Sequence, residues 1–241
     1  MHIVILTGAG LSAESGLQTF RDANGMWTIE DVEAVASIDG WRADKQRVLD
    51  FYNPRRAKLD GVEPNAAHIA LAKLQAAAAE SGARVTIITQ NIDDLHERGG
   101  AARVLHMHGE LRKRRCESCA KTSPWRDDIT VASICDHCGK AGAERPHVVW
   151  FGEMPLEMER CLAALSSADV FVAIGTSGAV YPAAGFVDIA KEVGAHTVEL
   201  NLARSDGADR FDEGRYGPAS QVVVDWAWEM IAGLPGPGQE S

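Results

Sequence analysis

Five short runs rich in Val and Ile recur along the chain, and they restrict its fold more than any other feature. They are His2–Thr7, Arg84–Thr89, Val170–Ile174, His196–Leu200 and Gln221–Val224. Each is too short for a helix and too continuously apolar for a half-exposed strand, so each reads as a strand buried on both faces. Alanine-rich helical stretches separate them, clearest at Asn65–Glu80 and Leu156–Ser166. This alternation predicts an α/β fold, a Rossmann-like parallel sheet with helices on both faces. The rhythm breaks from about Arg112 to His147, where a small inserted module is expected. Residues 1–111 and 148–232 then form one discontinuous domain, with a further helical insertion over 25–64. The tail 233–241, with Pro235, Gly236 and Pro237, is rich in breakers and expected to be mobile.

Charge excludes one class of partner. With 24 Lys+Arg against 34 Asp+Glu, the net charge is −10, which argues against a duplex-DNA binder whose affinity comes from phosphate neutralisation. A local basic run, Arg112-Lys113-Arg114-Arg115, reads equally as a solvated strand end or a docking site. No apolar run approaches the roughly 20 residues that span a bilayer, and Met1–Leu6 lacks the basic region of a signal peptide. A cytoplasmic protein without membrane or specific nucleic-acid partner is the expectation, with a monomer favoured.

Four cysteines form two C-x-x-C pairs, Cys116/Cys119 and Cys135/Cys138, fifteen residues apart. In a chain without an export signal this pattern points to metal rather than disulfides. Each C-x-x-C turn presents two thiolates, and four complete the tetrahedron that Zn(2+) prefers, leaving no open position for catalysis. One structural zinc per chain is therefore expected, supplying folding energy to a stretch too short and polar to build its own core. Redox dithiols are the competing reading. Cys161, on an apolar helical face, reads as a small core residue.

Directly after the first strand comes Gly8-Ala9-Gly10-Leu11-Ser12-Ala13, a G-x-G-x-x-A turn where a dinucleotide fold places its pyrophosphate. Gly175-Thr176-Ser177-Gly178 and Asn201 also follow strand runs, so three polar loops converge on the sheet edge where open α/β folds bind ligands. No acidic residue ends the second strand to hold a ribose, which counts against hydride transfer.

Together these residues resemble the sirtuin family. Gly8 to Gly16 with Phe20-Arg21 is similar to the signature G-A-G-x-S-x-x-S-G-I-P-x-F-R, with Leu17-Gln18 in place of Ile-Pro. Thr89-Gln90-Asn91-Ile92-Asp93 matches T-Q-N-I-D, His108-Gly109 resembles the catalytic H-G, and Val149-Trp150-Phe151-Gly152-Glu153 resembles the substrate-binding V-x-F-G-E. The motifs run in order over nearly the whole chain.

The resemblance implies an NAD-dependent protein-lysine deacylase acting on acyl-lysine proteins or peptides, with NAD as co-substrate. It implies NAD contacts from Gly8, Ala9, Gly10, Ser12, Ala13, Phe20, Arg21, Trp27, Gln90, Asn91, Ile92 and Asp93. The late contacts would be Gly175, Thr176, Ser177, Asn201, Leu202, Ala203 and Ala219. The acyl oxygen would attack C1′ of the ribose, His108 would act as general base on a ribose hydroxyl, and nicotinamide, lysine and O-acyl-ADP-ribose would leave. Val149, Trp150, Phe151, Gly152 and Glu153 would bind the substrate backbone as an added strand, although Val-Val-Trp-Phe alone reads as core. His106 is expected to pack rather than react.

Tyr52 and Arg55 stand three apart, which on a helix puts them on one face. The Tyr-x-x-Arg pair, with Ala36 as the small residue upstream, resembles class III sirtuins, which remove succinyl, malonyl and glutaryl groups. Arg55 would grip the distal carboxylate as a fork and the Tyr52 hydroxyl would add a bond. Pro54 between them leaves helix or loop geometry open. The competing readings are a solvated basic helix face, a sirtuin-like protein ADP-ribosyltransferase on the same NAD site, and a non-enzymatic NAD sensor.

Overall fold

The computed structural model describes residues 1–18 and 33–235. Phe20, Arg21 and Trp27, residues 25–32 of the expected insertion, and the tail from Gly236 lie outside the described residues.

Six parallel strands form the main sheet: β1 (His2–Thr7), β2 (Arg84–Thr89), β3 (Val104–His106), β7 (Val170–Ile174), β8 (His196–Asn201) and β9 (Glu213–Tyr216). Their order is β3-β2-β1-β7-β8-β9. The three central expected runs have the bounds read from sequence, because an apolar residue at every position can be buried only where both faces are covered. Ile3 and Ile5 face one core, with helices Ala66–Glu80 and Ala219–Ala232. Val4 and Leu6 face the other, with helices Met158–Leu165 and Phe186–Glu192. Burial at this depth stabilises by about 1.5–3 kcal/mol per large aliphatic side chain.

One expected strand is wrong. Gln221–Val224 lies inside the helix Ala219–Ala232, whose buried residues are Val223, Trp226 and Ala227. That is helical spacing, and it overrides the β-branched run of three valines. The edge strand that closes the sheet is β9, Glu-Gly-Arg-Tyr, with little apolar signature. At the tail, the Gly233 amide donates to the Glu229 carbonyl at 3.1 Å and Leu234 packs on the first core, so these residues end the helix.

A second, antiparallel sheet, β5-β4-β6, is built from β4 (Gly109–Cys116), β5 (Thr122–Pro124) and β6 (Glu144–Val148). A helical lobe, Ile38–Ala43 and Lys45–Lys58, packs against it through a third core containing Trp41, Leu49, Tyr52, Leu111, Ile129 and Trp150. Polar clamps join the same two parts. Asn53 and Ile129 exchange two hydrogen bonds (2.9 and 3.0 Å), and the fully buried Arg56 donates to the Leu111 carbonyl at 2.8 Å. Glu117, inside the first C-x-x-C, accepts from the Trp41 indole and from Lys45, both at 2.8 Å. The basic run does not form an open patch: Arg112 pairs with Asp60, Lys113 with Glu110, Arg114 with Asp136 and Arg115 with Glu153. Among the described residues no helix is long and apolar enough to cross a membrane.

Candidate active site

The strand order reverses between β1 and β7, and there two loops cross backbone on backbone. The Gly8 amide donates to the Ile174 carbonyl at 2.9 Å and the Gly10 amide to the Gly175 carbonyl at 2.8 Å. A Cβ on Gly10 would meet the Gly175 Cα at 2.8 Å. On Gly175, whose φ is +60°, it would meet the Leu11 amide nitrogen at 2.4 Å. The glycines are therefore required by loop-to-loop contact, before any pyrophosphate is considered. The helix that follows is a single turn, Ala9–Ser12, continued by a 3-10 turn through Ala13 to Ser15. Glu14 then accepts from the Ser220 amide at 3.0 Å, which ties this loop to the start of the helix bearing Ala219.

Side chains knit the crossing together. Gln90 donates to the Thr176 hydroxyl at 3.1 Å, and Asn201 to the Thr176 carbonyl at 2.9 Å. The Asn91 amide group donates to the Gly8 carbonyl (3.1 Å) and to Ser12 Oγ (3.2 Å), while Ser12 donates to Asp93 (3.1 Å). Burial raises the Asp93 carboxyl against the hydrogen bonds it accepts from the Leu95 amide and Ser12. Ser177 is half-buried, and Leu202 and Ala203 are exposed, so these three form the rim.

Behind this set lie two histidines that sequence reasoning missed. His68 is 3.4 Å from Ser12 Oγ, and His96 is 3.0 Å from Thr7 Oγ1. Burial holds His68 at about 4 and His96 well below its usual value, so both are neutral near pH 7. The available signal was Asn65-x-x-His68, a reciprocal capping box at the start of the long helix.

His108 and His106 have different environments. The His108 Nδ1 lies 3.0 Å from the Gln90 carbonyl, which can only accept, so Nδ1 carries the proton and Nε2 keeps its lone pair. Burial lowers its pKa, outweighing that hydrogen bond. His106 instead pairs with Glu97 at 2.7 Å, which raises its pKa in spite of burial.

Pro54 sits inside the helix Lys45–Lys58, which settles the open question of its geometry in favour of helix. Pro54 has no amide proton for the helical ladder, and beside it the Arg55 guanidinium donates to the Phe51 carbonyl at 2.8 Å and lies 3.4 Å over the Phe51 ring. Tyr52 is buried one turn away. Its oxygen accepts from the Trp150 indole at 3.0 Å, and burial raises its pKa to about 12. Ala36 and the half-buried Ile92 belong to the same core as Tyr52 and Trp150.

The segment after β6 is already bonded. The amides of Val149 and Phe151 donate to the carbonyls of His108 and Ala36, both at 2.8 Å, and those of Trp150 and Glu153 are bonded to each other's residues. Glu153 takes two bonds from Arg145 (2.7 and 2.9 Å) and one from Arg115. Phe151 is exposed and Gly152 has φ +88°, whereas Trp150 is core.

The Sγ atoms of Cys116, Cys119, Cys135 and Cys138 lie within 4.8 Å of one another, with 3.7 Å between Cys116 and Cys138 and 3.8 Å between Cys119 and Cys135. Zn–S bonds of about 2.3 Å in a tetrahedron require sulfurs roughly 3.8 Å apart. The cluster therefore fits a structural zinc ion. Cys161 is buried in the second sheet core, away from the cluster.

Comparison with known proteins agrees with this arrangement. The Sir2 family model matches residues 8–182. The chain belongs to the Sir2 family. A relative from Caulobacter vibrioides, named NAD-dependent protein deacylase, is 52% identical over 234 residues, 97% of this chain and 98% of that protein. A solved Sir2 homolog–NAD complex superposes with TM-score 0.85 at 36% identity, covering 97% of this chain and 90% of the other. A Sir2 protein bound to acetylated peptide has TM-score 0.75 at 28% identity, covering 95% and 92%. The Sir2 fold joins a parallel sheet to a small antiparallel module, and both sheets and the four-cysteine cluster are present here.

Proposed function

We propose that this Sir2-family chain is an NAD-dependent protein-lysine deacylase whose acyl channel takes succinyl and malonyl groups as well as acetyl. Free lysine, nicotinamide and O-acyl-ADP-ribose would be the products. The observation that carries the reading is one shared core. Ala36 and Tyr52 of the helical lobe pack with Ile92, which sits on the loop bearing Gln90, Asn91 and Asp93. The side chains expected to select the acyl group thus adjoin those expected to hold the nicotinamide end of NAD.

NAD supplies the electrophilic ribose carbon when bound. The chain's own residues hold and orient it: the crossed loops at Gly8–Ser12 and Gly175–Ser177 form the floor, and Asn91 and Asp93 are fixed through Ser12. His108 offers Nε2 as a proton acceptor because Gln90 occupies Nδ1. A base that is neutral at pH 7 suits that role. With most of their amides engaged, residues 149–153 bind a substrate backbone mainly as acceptors, so sequence selectivity is loose. Zinc held by the four cysteines supplies rigidity, not chemistry. The reading places the enzyme in the cytoplasm as a monomer.

The test is turnover with NAD of matched succinyl-lysine and acetyl-lysine peptides. Arg55→Met should lower the succinyl-to-acetyl ratio of kcat/KM by about tenfold or more, as expected for losing a charged hydrogen bond. His108→Ala should abolish both activities. An unchanged ratio would return Arg55 to the solvated surface. NAD cleavage with transfer of ADP-ribose to protein, and no deacylation, would replace the deacylase reading.

A further inference from the structure

The Tyr52–Trp150 hydrogen bond has a fixed direction. An indole N–H can only donate, whereas a phenol oxygen both donates and accepts. At 3.0 Å the Tyr52 oxygen must therefore be the acceptor, and its own proton must point away from Trp150. Trp150 has little freedom to change this. It is 2% exposed, lies 5.4 Å from the Trp41 ring, and carries the Arg145 guanidinium 3.3 Å over its face. Arg145 is itself held by Glu153 and by the Val148 carbonyl at 2.8 Å.

The phenol proton is thus presented in one direction, and among the described residues no acceptor takes it. A buried hydroxyl without an acceptor is costly, which points to a ligand group that completes it. The local charge says which kind. The positive charges of Arg145 and Arg55 both act on the Tyr52 phenol, and among the described residues the carboxylate that acts on it, Glu153, is already engaged by Arg145 and Arg115. An anionic acceptor is favoured. Burial keeps the phenol protonated far above neutral pH, so it remains a donor.

We propose that Trp150 is a positioning residue for acyl selectivity: its indole N–H occupies the acceptor side of the Tyr52 hydroxyl and turns the phenol proton toward the distal carboxylate of an acidic acyl group. The inference rests on the acidic-acyl reading of the same site. Trp150 touches no substrate in this role and acts through Tyr52. An acetyl group has no distal carboxylate and gains nothing from the arrangement, so Trp150 governs the ratio between the two substrates.

The experiment replaces Trp150 with 3-benzothienylalanine, which keeps the bicyclic shape and lacks the N–H. Trp150→Phe serves as a second variant. Both are assayed with NAD on matched succinyl-lysine and acetyl-lysine peptides, alone and combined with Tyr52→Phe. The succinyl-to-acetyl ratio of kcat/KM should fall about tenfold, through a raised KM for the succinyl peptide. In the Tyr52→Phe background the Trp150 substitution should cause no further fall, because the two residues act as one unit. A wild-type ratio in the benzothienyl variant, or losses that multiply with Tyr52→Phe, would overturn the proposal and assign Trp150 to packing alone. A wild-type enzyme that turns over no acidic acyl peptide would overturn the acidic-acyl reading itself, and this inference with it.

Discussion

Replacing Arg145 with Met keeps a long apolar stem over the Trp150 ring and removes the guanidinium. The Glu153 carboxylate then retains Arg115 and the Trp150 amide but loses both bonds from Arg145, and the Val148 carbonyl loses its side-chain donor. Breaking a buried ion pair by deleting one partner costs about 3–5 kcal/mol. Glu153 is 19% exposed, so the lower figure applies, about 3 kcal/mol, or a fall in Tm of roughly 6–12 °C for a chain of this size. The pH dependence identifies the source. Burial raises the Glu153 carboxyl, but hydrogen bonds from Arg145 and the Trp150 amide outweigh it and hold the group below its usual value. A carboxyl depressed in the folded state contributes stability that is present above its unfolded pKa and lost as pH falls through the folded one. The gap between wild type and variant should therefore narrow on acidification below about pH 4.5. Denaturant unfolding of both proteins at a series of pH values measures it. A gap under 1 kcal/mol at pH 7, or one that does not change with pH, would refute the ion-pair argument.

Gly175→Ala adds a left-handed penalty of about 1–2 kcal/mol to a 2.4 Å approach on the Leu11 amide; denaturant titration should show a loss above 2 kcal/mol, and calorimetry should show weakened NAD binding. Gly61→Ala, where a Cβ meets nothing within 4 Å, is the control and should stay within about 0.5 kcal/mol. Stripping zinc with a chelator should release one ion per chain, measured by atomic absorption, and unfold the small sheet; retention of its tryptophan near-UV signal would deny the ion a structural role. Because burial lowers the His108 pKa, the acid limb of the kcat/KM profile should fall below pH 6.5; a limb above pH 7 would exclude neutral His108 as the base.

The centre of the sheet was legible because β1, β2 and β7 are buried on both faces and nothing in their sequences competes with that pattern. The edges were not. Val104–His106 is three residues long, and Glu213–Tyr216 is polar, since an edge strand has only one neighbour to satisfy. Val222-Val223-Val224 misled because β-branching outweighed the i, i+3, i+4 spacing of Val223, Trp226 and Ala227. The zinc ligands and the glycine turn were legible because their chemistry forces a local spacing. Arg56 was not: in a run of Arg, Arg and Lys, nothing local marks the one guanidinium that is fully buried. The partnership of Trp150 with Tyr52 spans 98 positions, and no local pattern carries a contact of that range.

The crossing of the two glycine loops divides the molecule for anyone who would re-engineer it. Where each backbone is the other's nearest neighbour, a mutational library can only subtract, because every side chain added there displaces main chain. The helical lobe joins the rest largely through side chains, the Phe151–Ala36 main-chain bond apart, and those side chains can be exchanged with less displacement of main chain. On the proposed acyl channel, new selectivity is to be sought at Ala36, Tyr52, Arg55 and Trp150. The crossing is best treated as a fixed part.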